Sequence, residues 1–209
     1  MKKFLALFLA AFMVLAAVGC GNQPAQSGND NKGTGIANQQ LSMGTASSGG
    51  AYYVIGTGFA EVLTSHIPEL NVTAEITDGS VANIRLVSDG DCDIGISNAD
   101  AVQYALDGTA PYNSVQDVQV LCALHSSIWH VVTTENSGIP SIADLKGKKV
   151  AVGPAGGGSV AALEVVLQAY GMTLDDITPT YVSYDDGITQ LTDGQVSAAL
   201  AMAGMPAAA

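Results

Sequence analysis

The 209-residue chain sets 7 basic against 19 acidic residues, a formal net charge of −12, and carries 24 glycines at a mean hydropathy of +0.30. Such acidity argues against nucleic acid as a partner. Arg85 is the one arginine, so several guanidinium clamps on one anion are excluded and backbone amides must do more of any anion binding.

In chain order, Met1-Lys2-Lys3 and the apolar run from Phe4 to Val18 read as a signal peptide over 1–19. Fifteen apolar residues at ~1.5 Å each reach ~22 Å, short of the ~30 Å hydrocarbon core, so a transmembrane anchor is the weaker reading. Leu15-Ala16-Ala17-Val18-Gly19-Cys20 resembles a lipobox, which makes Cys20 the expected lipidation site. An ordinary cleavage site that happens to precede a cysteine is the alternative. Residues 20–40, rich in Gly, Asn, Gln, Ser and Pro, hold too little apolar surface to offset their ordering entropy and read as a flexible tether. Loss of Lys2 and Lys3 with the signal leaves five basic and nineteen acidic residues, formally −14.

From Leu41 short apolar runs alternate with helical patterns, the mark of an α/β fold with a mainly parallel sheet. Strands are predicted at 41–45, 72–76, 93–97, 118–125, 128–134, 149–153, 180–184 and 197–202. Helix 50–66 places Tyr52, Ile55, Phe59, Val62 and Leu63 on one face and stops at Ile67-Pro68. Helix 80–88 buries Val81, Ile84, Leu86 and Val87 and ends at Asp89-Gly90. Helices 99–106, 158–170 and 185–193 follow. The turn-rich stretch from Asn136 to Lys148 divides two α/β lobes, 41–135 and 136–209. Gly204-Met205-Pro206 reads as a loop with proline opening another helix, so the second lobe is expected to be incomplete. Cys92 and Cys122 lack a framework spacing, and free buried thiols are expected.

Two loops share one pattern. Gly44-Thr45-Ala46-Ser47-Ser48-Gly49-Gly50-Ala51-Tyr52-Tyr53 and Gly153-Pro154-Ala155-Gly156-Gly157-Gly158-Ser159 each end a strand in glycines and open a helix. Glycine lets a ligand approach the backbone, and a helix N-terminus offers unpaired N–H groups at the positive end of the dipole. Facing one cleft, they would grip a small polar or anionic solute from both sides. A tight turn with glycine used for packing is the alternative for each loop. Neither fits a phosphate loop or a dinucleotide fingerprint. At a third turn, Asp78-Gly79-Ser80-Val81-Ala82-Asn83, Ser80 is a cap or a ligand group and Asn83 faces the same sheet end. At a fourth, Asn98 and Asp100 would hydrogen-bond an amino or hydroxyl group, with a dipole-partner role for Asp100 the alternative.

Asp89, Asp91, Asp93 and Asp100 suggest a calcium loop, but Ile94 stands where that loop needs glycine. His66, His125 and His130 lack metal-ligand spacing and no nucleophile elbow occurs, so no cofactor, metal or catalytic residue is expected. His130 beside Trp129 is a ligand contact or a packed histidine.

Taken together, Gly44-Thr45, Gly49-Gly50-x-Tyr52-Tyr53, Gly79-Ser80-Val81-Ala82-Asn83, Asn98-Ala99-Asp100, Asp144-Leu145-Lys146-Gly147-Lys148 and Gly153-Pro154-Ala155-Gly156 resemble the TAXI-type solute receptors of tripartite ATP-independent periplasmic (TRAP) transporters. The resemblance implies a type II periplasmic-binding-protein fold, two lobes closing on a ligand, and delivery to membrane permease subunits. It implies small carboxylates such as glutamate, glutamine or 2-oxoglutarate as solutes. Carried over by motif, Thr45, Gly49, Gly50, Tyr53, Ser80, Asn83, Asn98 and Asp100 line the first-lobe wall, with Gly156, Gly158 and Ser159 opposite. The sequence departs from the family at Gly157, where serine is common, and at Asn98, where glutamine is common. The rival readings are a receptor of an ATP-driven importer for thiamine-precursor-like or sulfonate-like solutes, a sensor domain or surface adhesin that uses the tether, and an enzyme on the same fold.

Overall fold

A computed structural model describes residues 38–204. The signal peptide, Cys20, most of the tether and Pro206 lie outside the described residues.

Two sheets carry the chain. β1 (Gln39–Gly44) pairs in parallel with β2 (Leu70–Glu75) along its length, and with β3 (Ile94–Gly95) at Met43 and Gly44, giving the order β2-β1-β3. In the second sheet the order is β4-β7-β5-β6, built from β4 (Ile128–Val132), β5 (Lys149–Ala151), β6 (Thr178–Thr180) and β7 (Ala198–Ala203). β5 runs parallel to β6 and β7, while β4 is antiparallel to β7. Five helices follow strands: α1 (Ala51–His66), α2 (Ser80–Asp89), α3 (Ala99–Asp107), α4 (Gly158–Ala169) and α5 (Tyr184–Thr192).

Local chemistry sets the helix ends. Ile67, held extended at φ −121° and ψ 94° ahead of Pro68, stops α1. Gly90 and Gly108 take the left-handed conformation that closes α2 and α3. α1 lies close on β1 through Gly56, whose added Cβ would meet Thr45 Cγ2 at 2.5 Å. Its Tyr52, Phe59 and Leu63 pack on Met43, Val72 and Ile96, whereas Val62 turns to solvent. The second sheet's core is better sealed: Leu145, Val150, Val152, Leu163, Leu167 and Ala198 are fully buried. At about 1.5–3 kcal/mol for each buried leucine, α4 is fixed to its sheet mainly by Leu163 and Leu167, one turn apart.

Three expectations need correction. The stretch 118–125 is not a strand. Residues 119–127 make no backbone–backbone hydrogen bond among the described residues, and Val120 and Leu121 are exposed. An apolar run becomes a strand only where a neighbour completes its ladder, and none does. Cys122, expected buried, is therefore exposed; it and the buried Cys92 are both free thiols. The lobe boundary at 135/136 also moves, because β4 hydrogen-bonds to β7 and so belongs to the second sheet. The crossover precedes Ile128, and the Ile142–Leu145 segment is a 3-10 turn that leads into β5 and drops Leu145 into the second-sheet core.

Candidate functional site

In a parallel α/β layer every strand runs into a turn and then a helix N-terminus at the same sheet edge. Here four such N-termini converge. The N-cap residues of α1, α2, α3 and α4 are Gly50, Gly79, Asn98 and Gly157, and all four line one cavity. None of the four helices has a side-chain cap. α5 also reaches the cavity, through Tyr184, but its own Ser183 accepts from the Asp186 N–H at 3.2 Å. Glycine at 79 is required by its backbone, φ 102° and ψ −148°, a region closed to residues with a Cβ.

The walls come from both sheets. Ala46, Ser47 and Tyr52 line the cavity from the β1–α1 turn, Asp78 and Ser80 from the β2–α2 turn, and Pro154, Gly158 and Met202 from the second sheet. The Ser80 hydroxyl accepts from the Asn98 N–H at 3.1 Å. The Tyr52 hydroxyl donates to Asn98 Oδ1, and Asn98 Nδ2 donates to Met202 Sδ at 3.3 Å. Ser47 is 9% exposed, and its hydroxyl has no partner among the described residues. A buried hydroxyl without a partner carries a desolvation cost of about 1–3 kcal/mol, which an incoming polar group would relieve. Burial raises the phenol pKa values of Tyr52 and Tyr184, so both hydroxyls stay protonated and able to donate.

The two halves touch directly. The Gly156 carbonyl accepts from the N–H groups of Val81 at 3.0 Å and Ala82 at 3.1 Å, so the second-sheet loop satisfies the first turn of α2. A Cβ at Gly156 would meet Ala82 Cβ and Asp78 Cβ at 2.9 Å, and one at Gly158 would strike the Asn98 amide. The remaining cavity measures about 20 Å³, room for one water.

The expected site residues divide into three groups. Gly50, Ser80, Asn98 and Gly158 line the cavity, and Gly49 lies beside it against the Asp185 carboxylate. Gly156 contributes its carbonyl to the contact just described. Thr45, Asn83 and Ser159 are fully buried and spend their polar groups within the scaffold: Thr45 Oγ1 donates to Glu75 O at 2.6 Å, and Ser159 Oγ to Val152 O at 2.8 Å. Asn83 Nδ2 lies within donating distance of Gly44 O, Thr45 O and Ile96 O, at 3.1, 2.7 and 2.7 Å. Tyr53 lies outside the cavity, in an outer groove with Thr57 and Glu61; one step along α1 turns the side chain by about 100°, and Tyr52 takes the inward position. Asp100 is exposed, its Oδ1 accepting from the Ala101 N–H at 2.8 Å. Not foreseen were Ser47, Tyr52, Asp78, Tyr184 and Met202. Ser47 and Tyr52 stand in the first glycine-rich loop and Asp78 in the third turn, so the sequence marked their positions without their roles, and Ser183-x-x-Asp186 marks the helix start that brings in Tyr184. His130 and Trp129 each bury a ring nitrogen without a partner among the described residues, and neither lines the cavity, although Trp129 pairs across the sheet with Met202.

Residues 43–209 match the NMT1-like family. The chain belongs to that family. Among solved structures, the alkanesulfonate-binding protein SsuA from Xanthomonas axonopodis pv. citri, bound to MOPS, is similar with a TM-score of 0.56 and 20% identity, over 80% of this chain and 56% of that one. The arginine-bound ArgBP from T. maritima gives a TM-score of 0.56 at 14% identity, over 78% and 73%. An ancestral arginine-binding protein bound to glutamine gives 0.55 at 16%, over 80% and 71%. The fold of this NMT1-like chain is accordingly the type II periplasmic-binding-protein fold, of which it covers a part. It spans 51–56% of the length of the sulfonate-binding structures it matches.

Proposed function

We propose that this chain is the capture portion of an exported solute-binding protein, which takes a small acid-bearing solute between its two sheets and performs no chemistry on it. The observation that carries this reading is the convergence of four helix N-termini without side-chain caps on one cavity where the Ser47 hydroxyl is unpartnered. Amide N–H groups at helix N-termini favour an acid group through both hydrogen bonds and dipole. α1 and α4 supply those amides, because the Gly156 carbonyl already occupies α2. A space for one water admits no solute, so entry requires that carbonyl to leave α2 and the halves to part; closure over the solute is the signal a membrane permease reads.

Membership of the NMT1-like family and likeness to alkanesulfonate- and arginine-binding proteins favour a permease of the ATP-driven importer type. A TRAP permease, with this chain as a TAXI-type receptor for glutamate-like or dicarboxylate solutes, is the second reading. The motifs Gly79-Ser80-Val81-Ala82-Asn83 and Asn98-Ala99-Asp100 favour it. Genes for an ATPase beside the coding sequence support the first, and genes for TRAP membrane subunits the second. In either case the signal over 1–19 exports the chain, Cys20 carries the lipid, and the stretch between Cys20 and β1 tethers the lobes to the membrane, Gln39 and Gln40 of the expected tether being the first residues of β1.

A thermal-shift screen of the full-length protein against carboxylates, sulfonates and amino acids tests the reading, since a ligand held by the folded state raises the melting point by mass action. At 100 times Kd the gain is about 2.7 kcal/mol. A panel in which no acid raises the melting point contradicts it.

A further inference from the structure

The cavity has an uneven charge that the capture reading leaves unused. No lysine or arginine lines it. Among the described basic residues, Arg85 donates to Pro111 O at 2.7 Å, Lys146 pairs with Asp176 at 3.0 Å, and Lys148 and Lys149 lie exposed where β5 begins, at the strand end opposite the cavity. One acidic residue does line it: Asp78, an exposed residue of the β2–α2 turn at the cavity's rim, whose side chain makes no hydrogen bond or ion pair among the described residues. Its backbone and Cβ abut the glycines of the second loop, with Asp78 O facing Gly157 and Asp78 Cβ facing Gly156. It therefore stands at the seam where the halves meet. A second carboxylate, Asp185, lies against Gly49.

An acid group on the amides of α1 and α4 would sit beside Asp78 with no lysine or arginine in the lining to offset the repulsion, the His125 ring packing on the Tyr52 ring. A second acid group would make matters worse, while a positive group on the same solute would turn Asp78 from an opponent into a partner. The unpartnered Ser47 hydroxyl fixes the other pole, because it sits in the loop that precedes α1 and donates to an acid oxygen as well as the amides do.

We infer that Asp78 is a specificity-determining residue that accepts the ammonium group of a zwitterionic solute whose single acid group lies on the N-termini of α1 and α4 with the Ser47 hydroxyl. The inference rests on the capture reading and narrows it to amino acids with one acid group, against dicarboxylates and simple carboxylates.

The test uses the full-length protein and calorimetric titration with matched probes: the standard amino acids carrying one carboxylate, the monocarboxylates acetate, propionate and butyrate, and the dicarboxylates succinate and glutarate. The best amino acid is expected to bind at least tenfold more tightly than its counterpart lacking the amine, with the dicarboxylates weaker still. Asp78→Asn should lower the amino acid's affinity at least tenfold and leave the des-amino acids unchanged or tighter, with the ligand-free melting point held. Equal or tighter binding of des-amino acids by the unaltered protein overturns the inference while leaving acid capture intact. So does an Asp78→Asn loss shared equally by both probe classes. If no acid of any kind binds, acid capture fails and the inference falls with it.

Discussion

Asn83 at the head of α2 separates scaffold from ligand contact. Its carboxamide ties the ends of β1 and β3 to the helix through Gly44 O, Thr45 O and Ile96 O, and Oδ1 accepts from the Thr77 hydroxyl at 2.6 Å. An amide nitrogen has two hydrogens, so two of its three contacts are full bonds, and Thr77 adds a third. Three bonds at about 1 kcal/mol each, plus about 1 kcal/mol for the Ile96 carbonyl left buried, give about 4 kcal/mol for Asn83→Ala. Gly44 O keeps the Ile96 N–H at 3.0 Å, and the Thr77 hydroxyl, whose one proton goes to Asn83 Oδ1 in the parent, stands 3.1 Å from Thr45 O and turns to it once Asn83 is removed. With a urea slope of about 2 kcal/mol/M, the unfolding midpoint should fall by about 2 M, and the melting point by roughly 10 °C, without a change of slope. Asn83→Asp should cost more, since it turns a carboxylate toward three carbonyls. A loss below about 1 kcal/mol for Asn83→Ala, together with a large loss of solute affinity, would refute the scaffold assignment and return Asn83 to the ligand wall.

Ser47→Ala should leave ligand-free stability unchanged or raise it by up to about 1 kcal/mol, since a buried hydroxyl without a partner is removed, while solute affinity by titration falls about tenfold; a stability loss above 1 kcal/mol contradicts this. Gly156→Ala should force the halves apart, because its Cβ meets Ala82 and Asp78 at 2.9 Å, and small-angle scattering of the ligand-free protein should show a larger radius of gyration than the parent. An unchanged radius removes the Gly156 contact from the account. Tyr112 is 3% exposed with its hydroxyl unpartnered, and burial pushes its phenol up from 10.0 to about 12, an effect the nearby Arg85 lessens. Because the folded value is the higher one, Tyr112 contributes stability that is present below pH 10 and lost as pH rises through about 12. Tyr112→Phe should therefore resist alkaline unfolding better than the parent in melts across that window; parallel losses contradict the assignment.

The helices were legible because their punctuation is local. Pro68, Gly90 and the glycines before Ala51 and Gly158 act within a turn of where they stand, and α1, α2 and α4 begin and end close to the predicted residues. Failures came where distant partners decide. The run from Val118 to His125 has the composition of a strand but no neighbour to pair with, and β4 joins the second sheet through β7, some 70 residues further on. The site was readable as loops and not as side chains. The glycine-lined turns converge as expected, with Gly50 and Gly158 on one cavity. Yet a polar residue at a strand end looks the same in sequence whether it faces the cavity, as Ser80 does, or the backbone of a neighbouring strand, as Thr45 and Asn83 do. The choice between Tyr52 and Tyr53 turned on a single step of helix phase, finer than the apolar pattern of α1 defines.

The most direct test of capture at converging helix N-termini is a crystal structure of the full-length protein with a solute that raises its melting point. An acid oxygen is expected within hydrogen-bonding distance of N–H groups at the starts of α1 and α4 and of the Ser47 hydroxyl, with the Gly156 carbonyl displaced from the Val81 and Ala82 N–H groups. A solute seated in the outer groove beside Tyr53 and Glu61, with the cavity between the sheets unchanged, would contradict it.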